Sequence, residues 1–455
     1  MRKNIAHTVR IALASVAALS MSVIPLAGCG SSSSKGKVYY LNTKPEIVKE
    51  LQDLGKKYQK ETGVEVQIRT AASGTSNSTI TSELGKKNGP GLFNLAGFDQ
   101  YIRFRKFLRP LQNTKLYKQL DAEGKSNAFG DGKNVYTLPY AGEWYGIIYN
   151  KAILNKYVSK PYAVIKQASE LQDYATLKKV AESMQEHKAD LGIKGAFSTP
   201  GLDPSNNYRY AAHMNRVPYF FEMRDKGVRW SLNMKGTYVP QYKDLWDLEL
   251  KNSPTDPQRI STVSYDDSTG EFARGEVAFY PNGVWSYAQI KGNAVKDEDL
   301  GMLPYWMGIK GEEKYGPFGV YDANWAINKR ASKADQEACL KFLEWIVTSK
   351  EGRTALSKEM GFSVPFTTFG DEYQPDNPLT TAAKQYQKEG KPSPFSINIP
   401  GQQYIDDLSN ALLEYSQGTG KWNKVQEAFT KDWTAQWESY KQAEGMLPPA
   451  GKFDM

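Results

Sequence analysis

The stretch from 37 to 70 constrains the fold more than any other. KVYYLN (37–42) is a strand-like run. Ile47, Leu51, Leu54 and Tyr58 then recur at i, i+4, i+7 and i+11, the apolar stripe of an amphipathic helix. VEVQIRT (64–70) is a second strand. Thr43 and Glu46 are spaced as a capping box with Pro45 in the first turn, and Gly63 stops the helix. Strand, helix and strand in so short a span make a βαβ unit, so the strands are parallel and the crossover right-handed. A helix over 79–87 and a short strand at GLFNLAG (91–97) continue the pattern. The folded part of the chain starts as α/β.

At 455 residues one core is not enough, and two domains are expected. Residues 154–190 are mostly helical, and turn-rich text follows at STPGLDPSNN (198–207). YDDSTGEFARGEVAFYPNGVW (265–285) reads as a helix, the strand VAFY and a turn at Pro281, Asn282 and Gly283. GVYDANWAINK (319–329) is another strand. Cys339, Phe342, Leu343, Ile346 and Val347 then lie on one face of a helix capped by Ser332 and Asp335. On that face Cys339 is a small buried side chain rather than a reactive thiol.

The start of the chain bears on location. MRKNIAHTVR leads into the apolar run IALASVAALSMSVIPLA, which ends in LAGC (26–29). The run is short and interrupted by Pro25, which suits an export signal better than a membrane span. LAGC resembles a lipobox, in which Cys29 becomes the lipidated first residue of the mature chain. Residues 1–28 are then a lipoprotein signal peptide, and 29–36 the lipidated cysteine and a flexible tether. The body is expected on the extracellular side, anchored to the outer face of the cytoplasmic membrane. The net charge of +8 includes three cations of this leader, Arg2, Lys3 and Arg10. The rest is scattered, a weak case for nucleic acid. Three histidines, one of them in the leader, give no zinc spacing, so neither metal nor cofactor is expected.

The chemistry-bearing feature is where rings fall. Phosphate loops, G-x-S-x-G elbows and H-E-x-x-H motifs are missing from the mature sequence. Asp266, Asp267, Glu271 and Glu276 could supply a glycosidase pair, but acids so spaced are ordinarily surface or caps. In TLPYAGEWYGIIYNK (137–151), Pro139 and Gly142 break the chain, and Tyr140, Trp144 and Tyr145 crowd the break before a short buried strand. Trp285 follows VAFYPNG, and Trp325 sits beside Asp322 and Asn324. Ligands of open α/β sheets bind beyond the carboxyl ends of strands. A flat apolar ring with a polar edge, next to hydroxyl acceptors, suits an uncharged, hydroxyl-rich ligand such as a pyranose.

LPYAGEWYGIIYNK, GEVAFYPNGVW, and GVYDANWAINK followed by KADQEACLKFLEWIVTSKEGRTAL together resemble family 1 of the extracellular solute-binding proteins of ABC importers, which includes the maltose-binding protein. The resemblance implies a type II periplasmic-binding-protein-like fold. Each lobe is then a mainly parallel sheet flanked by helices, joined by hinge crossings near 139–142, 298–300 and 328–330. The lobes implied are 37–140 plus 300–328, and 141–299 plus 329–455. It implies a non-enzymatic monomer that captures a carbohydrate, an oligosaccharide, in the cleft and delivers it to ABC permease transmembrane subunits. By matching motifs, Trp285 is the sugar-stacking ring and Asp99 the acid of the first lobe. Asn42, Ser73, Gly74, Glu143, Trp144, Tyr208, Arg209, Asp322 and Trp325 complete the expected ligand-binding set. A surface lipoprotein glycan hydrolase stays open as an alternative, as does a non-sugar solute: a peptide, a polyamine or a metal chelate.

Overall fold

The computed structural model describes residues 35–72 and 74–454; Cys29 and Ser73 therefore lie outside the described residues. One mixed sheet organises the chain. Its strands are β1 (Val38–Asn42), β2 (Val66–Thr70), β3 (Leu92–Leu95), β4 (Leu138–Asn150), β5 (Gly195–Phe197), β6 (Val277–Gly283), β7 (Leu300–Leu303) and β8 (Phe318–Ile327). The order is β2-β1-β3-β8-β4-β6-β5, with β7 also paired to β4. β1 pairs parallel with β2 and β3, as the βαβ reading requires, and β5 pairs parallel with β6. Between these ends, β8 and β4 run antiparallel to their neighbours.

β4 and β8 are the bridge between the two ends of the sheet. β4 has 13 residues, about 40 Å of extended chain at ~3.3 Å per residue. Its first part pairs with β8 and its second with β6 and β7. The expected break at Pro139 and Gly142 is not a break. The pairing with β8 shifts register between Pro139 and Ala141 and again between Ala141 and Glu143, so the strand bulges and continues. Gly142 donates its N–H to the Ser363 carbonyl at 2.7 Å. A Cβ at this position would meet the Tyr321 ring and hydroxyl at 2.8–2.9 Å. The same holds for the expected turn at Pro281, Asn282 and Gly283, which are the last residues of β6, opposite Ile147, Gly146 and Tyr145.

Helices cover the sheet in three cores. One joins Val38, Tyr40, Leu51, Leu54 and Tyr58 to Cys339, Phe342, Leu343 and Ile346. The helix Lys333–Thr348 thus packs on β1 and on the helix Val48–Thr62, with Cys339 fully buried. Its apolar face meets β1 and the helix Val48–Thr62 of the first half of the chain. The largest core contains Leu41, Phe93 and Ile102 together with Leu177, Phe197, Trp246 and Leu412. The third contains Trp144, Ile148, Phe272, Tyr280 and Leu379. Ser332 caps its helix as expected, accepting from the Asp335 N–H at 3.0 Å. The capping box expected at Thr43 and Glu46 does not form. Pro45–Ile47 is a 3-10 turn without a side-chain cap, and Glu46 turns instead to the Lys44 ammonium at 2.8 Å.

Candidate functional site

A cavity of about 520 Å³ opens beside the two bridging strands, within the size range of small-ligand sites. Strand ends supply much of its wall: Lys44 just beyond β1, Ala96 beyond β3, Trp285 beyond β6, and Glu143, Val320 and Asp322 from the bridge itself. Ser205, Tyr208 and His213 come from the turn-rich segment and the helical turn after it. Tyr265 and Asp266, at the start of the helix Tyr265–Ala273, complete the far side with Gln289.

The rings form one patch. Trp285 Nε1 donates to the Tyr208 hydroxyl at 3.2 Å, and that hydroxyl donates to Asn282 Oδ1 at 3.2 Å. His213 lies 5.2 Å from both the Trp285 and the Tyr208 ring centroids and stacks on Tyr145 at 4.3 Å. Burial, with Arg216 and Lys44 adding to it, holds His213 well below the ordinary histidine pKa, so the ring is neutral. Trp285 itself is only half-buried. Gly283 is what lets it lie there, since a Cβ at 283 would sit 2.1 Å from the indole ring.

The charges are paired within the protein. Lys44 Nζ is 2.9 Å from Glu143 Oε2 and 2.8 Å from Glu46 Oε1. Burial opposes the Lys44 charge, but the two carboxylates outweigh it and raise the ammonium pKa. Glu143 is raised by the same burial, with Lys44 working against the rise. We take the close ion pair to dominate, so both groups are charged at neutral pH. Glu143 Oε1 is buried with no hydrogen-bond partner among the described residues, a costly state that a ligand hydroxyl would relieve. Arg216, almost buried, holds Asp322 Oδ2 at 3.3 Å, and Gln289 donates to Asp266 at 3.0 Å. The cavity thus offers aromatic faces and carboxylate oxygens, and its cations are already neutralised.

Four of the sequence-expected residues meet here: Trp285, Tyr208, Glu143 and Asp322. The others stand elsewhere. Trp325 is 1% exposed, stacks on Tyr140 at 4.2 Å and donates to the Tyr40 hydroxyl, so it fills the core under β1. Trp144 is buried in the third core and donates to Ser393 Oγ at 3.0 Å. Both rings sit on strands whose two faces are covered, and so neither lines the cavity. Arg209, fully buried, binds the carbonyls of Pro281 and Thr199 and the side chains of Ser198 and Asn206, pinning β6 to the 198–207 segment. Asn42 is also buried. Its side chain accepts from the Lys44 N–H at 3.1 Å and donates to the Lys44 carbonyl at 2.7 Å, which fixes the turn that presents Lys44. Gly74, at φ +75°, packs near the Pro204 carbonyl. Asp99 packs against Gly401 away from the cavity, and burial pushes its carboxyl up to about 7.

Sequence reasoning missed Lys44, Glu46, Ser205, His213 and Tyr265, and set Asp266 aside as surface. Lys44 was within reach: it follows β1 by the strand-end rule that selected Asn42. His213 and Tyr265 had no local signal, because their relation to Trp285 is purely tertiary. Among the described residues, no three His, Cys, Asp or Glu side chains are placed to hold a metal ion, and no helix is long and apolar enough to cross a membrane.

Residues 53–376 match the bacterial extracellular solute-binding proteins. The chain belongs to that family. Its members are substrate-binding transport proteins, not enzymes. Among curated relatives, the maltotriose-binding protein of Pyrococcus abyssi (strain GE5 / Orsay) is 25% identical over 232 residues, 50% of this chain and 43% of that protein. The chain therefore spans less than half the length of that relative. Among solved structures, SBP RafE in complex with raffinose has a TM-score of 0.65 at 17% identity, covering 88% of this chain and 99% of that one. A sugar transporter from Bacillus licheniformis in complex with stachyose gives 0.65 at 16%, covering 88% and 100%. A chitin oligosaccharide binding protein gives 0.67 at 16%, covering 90% and 100%. This solute-binding protein therefore has the two-lobe, type II fold of these neighbours.

Proposed function

We propose that this solute-binding protein captures a neutral oligosaccharide in the cavity between β4, β8 and Trp285 and hands it to the permease subunits of an ABC importer. The observation that carries the reading is Trp285, half-buried beside Tyr208, with the unpartnered Oε1 of Glu143 in the same wall. An indole face suits the C–H face of a pyranose, and carboxylate oxygens accept its hydroxyl hydrogens. Lys44 on the wall and Arg216 behind Asp322 are held by acids, so among the described residues the wall presents no free cation to recruit an anionic solute. Four carboxylates line the wall, but Glu46 and Glu143 are taken by Lys44 and Asp322 by Arg216, which leaves Asp266 alone where a polyamine would need several convergent acids. The relatives that bind maltotriose, raffinose, stachyose and chitin oligosaccharide support the sugar reading. Lipidation at Cys29 and a monomeric body held at the outer face of the membrane belong to the same proposal, as does hinge closure of the two lobes about the bridging strands.

A thermal-shift panel of maltotriose, raffinose, stachyose, chitotriose and spermidine tests it. A ligand that binds only the folded state at 100 times its Kd adds about 2.7 kcal/mol and raises Tm. A neutral sugar is expected to raise Tm and spermidine not; a shift with spermidine and none with any sugar would reverse the assignment.

A further inference from the structure

The end of the sheet away from the cavity gathers cations. β1 and β3 run parallel to each other and β8 runs antiparallel to β3, with Leu92 opposite Ile327. The starts of β1 and β3 and the finish of β8 therefore share one end, whereas Lys44 and Ala96 of the cavity wall follow the other ends of β1 and β3. The loops at the shared end are tied together. Asn328 donates its backbone N–H to the Gly91 carbonyl and its side-chain amide to the Pro90 carbonyl, both at 2.9 Å. The Lys329 N–H donates to the Phe107 carbonyl at 2.7 Å, and the Lys37 N–H to Asp335 Oδ1 at 2.8 Å. Lys35 Nζ, at 3.4 Å from the Thr62 carbonyl, adds the end of the helix Val48–Thr62.

Lys35, Lys60, Lys87, Lys106, Lys329 and Arg330 are all exposed at this end, as is Lys333 in the first turn of its helix. The acids nearby are already engaged. Glu83 pairs with Lys86 and Arg69, and Glu337 with Arg109. Glu61 accepts from the Trp345 indole N–H at 3.0 Å and Asp335 from the Lys37 N–H; exposed Glu65 is the exception. Lys106 and Arg330 even share one ring, at 5.6 and 4.2 Å from the Phe107 centroid. Like charges held this close repel, so the surplus calls for an anionic partner outside the chain. The position of the tether says which. Only residues 30–34 separate Cys29 from Lys35, so at ~3.3–3.6 Å per residue the two are no more than about 20 Å apart. With Cys29 in the lipid, this end meets the bilayer, where cations within a Debye length of about 8–10 Å are drawn to anionic headgroups.

We propose that this basic end rests on anionic phospholipid headgroups, so that the cavity, at the opposite ends of β1 and β3, is held away from the bilayer where it meets solute. The inference rests on the lipid anchor at Cys29 and is independent of the sugar reading. It is tested on the chain with its anchor, purified in detergent from membranes and reconstituted in vesicles of phosphatidylcholine with or without phosphatidylglycerol. A donor dye is attached at Asn88→Cys on the basic end, or at Lys291→Cys beside Trp285, and energy transfer to acceptor-labelled lipid is measured; Cys339 is buried and takes no dye. Phosphatidylglycerol is expected to raise transfer from position 88 about twofold at low salt and not at high salt, and to bring position 291 no closer. The triple variant Lys106→Glu, Lys329→Glu, Arg330→Glu, checked for an unchanged far-UV spectrum, should lose the rise. The triple variant Lys166→Glu, Lys178→Glu, Lys179→Glu, with the same change in net charge on the segment leading to β5, should keep it. Transfer that ignores phosphatidylglycerol, a larger rise from position 291, or a response that survives the first triple or is lost equally in the second, overturns the basic contact while the anchor stands. A chain that stays on neither vesicle overturns the anchor and the inference with it.

Discussion

Lys44 decides the electrostatics of the site. Its ammonium lies between Glu143 and Glu46, and the side chains of Lys44 and Glu143 are 15% and 5% exposed. Removing one partner of a largely buried pair costs about 3–5 kcal/mol, because the other charge is left unpaired. Lys44→Met is therefore expected to lower stability by about 3 kcal/mol in urea titrations at pH 7. The loss should shrink as pH falls, since the burial-raised Glu143 takes up a proton and ceases to need its partner. A variant as stable as the wild type at pH 7 would mean that the pair contributes nothing. Trp325 and Trp144 carry the opposite lesson at this scale. Each is a large ring at a polar–aromatic strand position, as Trp285 is, yet only Trp285 has one face free of the cores. A single ring type at a strand end does not distinguish lining from packing, because the distinction lies in what covers the other face of the strand.

At the scale of elements, β4 was the least legible part. Pro139 and Gly142 have turn chemistry, and a local reading ends a strand there. The structure absorbs both into a bulged bridge, because β8 pairs with β4 on both sides of the irregularity, from Leu138 to Tyr145, and rewards continuation. Gly142 is glycine for the close approach of Tyr321. Gly142→Val is expected to cost about 1–3 kcal/mol by overpacking, read as a lower urea midpoint at unchanged m-value; no loss would contradict the packing account. By contrast, the βαβ unit at 37–70 and the helix bearing Cys339 were legible, since their apolar periods are local and the cores confirm them. What the period of that helix could not give was its partner, and β1 proved to be the surface it covers.

The whole molecule carries its acids in a way that makes stability depend on pH. Burial pushes Asp99 up to about 7 and Glu249 to about 8, the latter with both carboxyl oxygens unpartnered among the described residues. Between the unfolded value near 4 and these raised values, the folded state binds more protons than the unfolded one. Each group's contribution to stability therefore falls as pH rises through that window. Asp99→Asn should melt with the wild type near pH 4 and above it beyond pH 7; equal melting curves at both values would place Asp99 in water. The family and the α/β class were legible from three motifs taken together. The cavity was only half so, because Trp285, Tyr208, Glu143 and Asp322 are brought together by a sheet whose bridging strands no local pattern joins. The account stands on the Trp285 face. Calorimetric titration of wild type and Trp285→Ala with raffinose, stachyose and maltotriose examines it most directly. Wild type should bind at least one of them, and the variant, still folded, about tenfold or more weakly, the equivalent of about 1.4 kcal/mol. Equal affinity with and without the indole would contradict it.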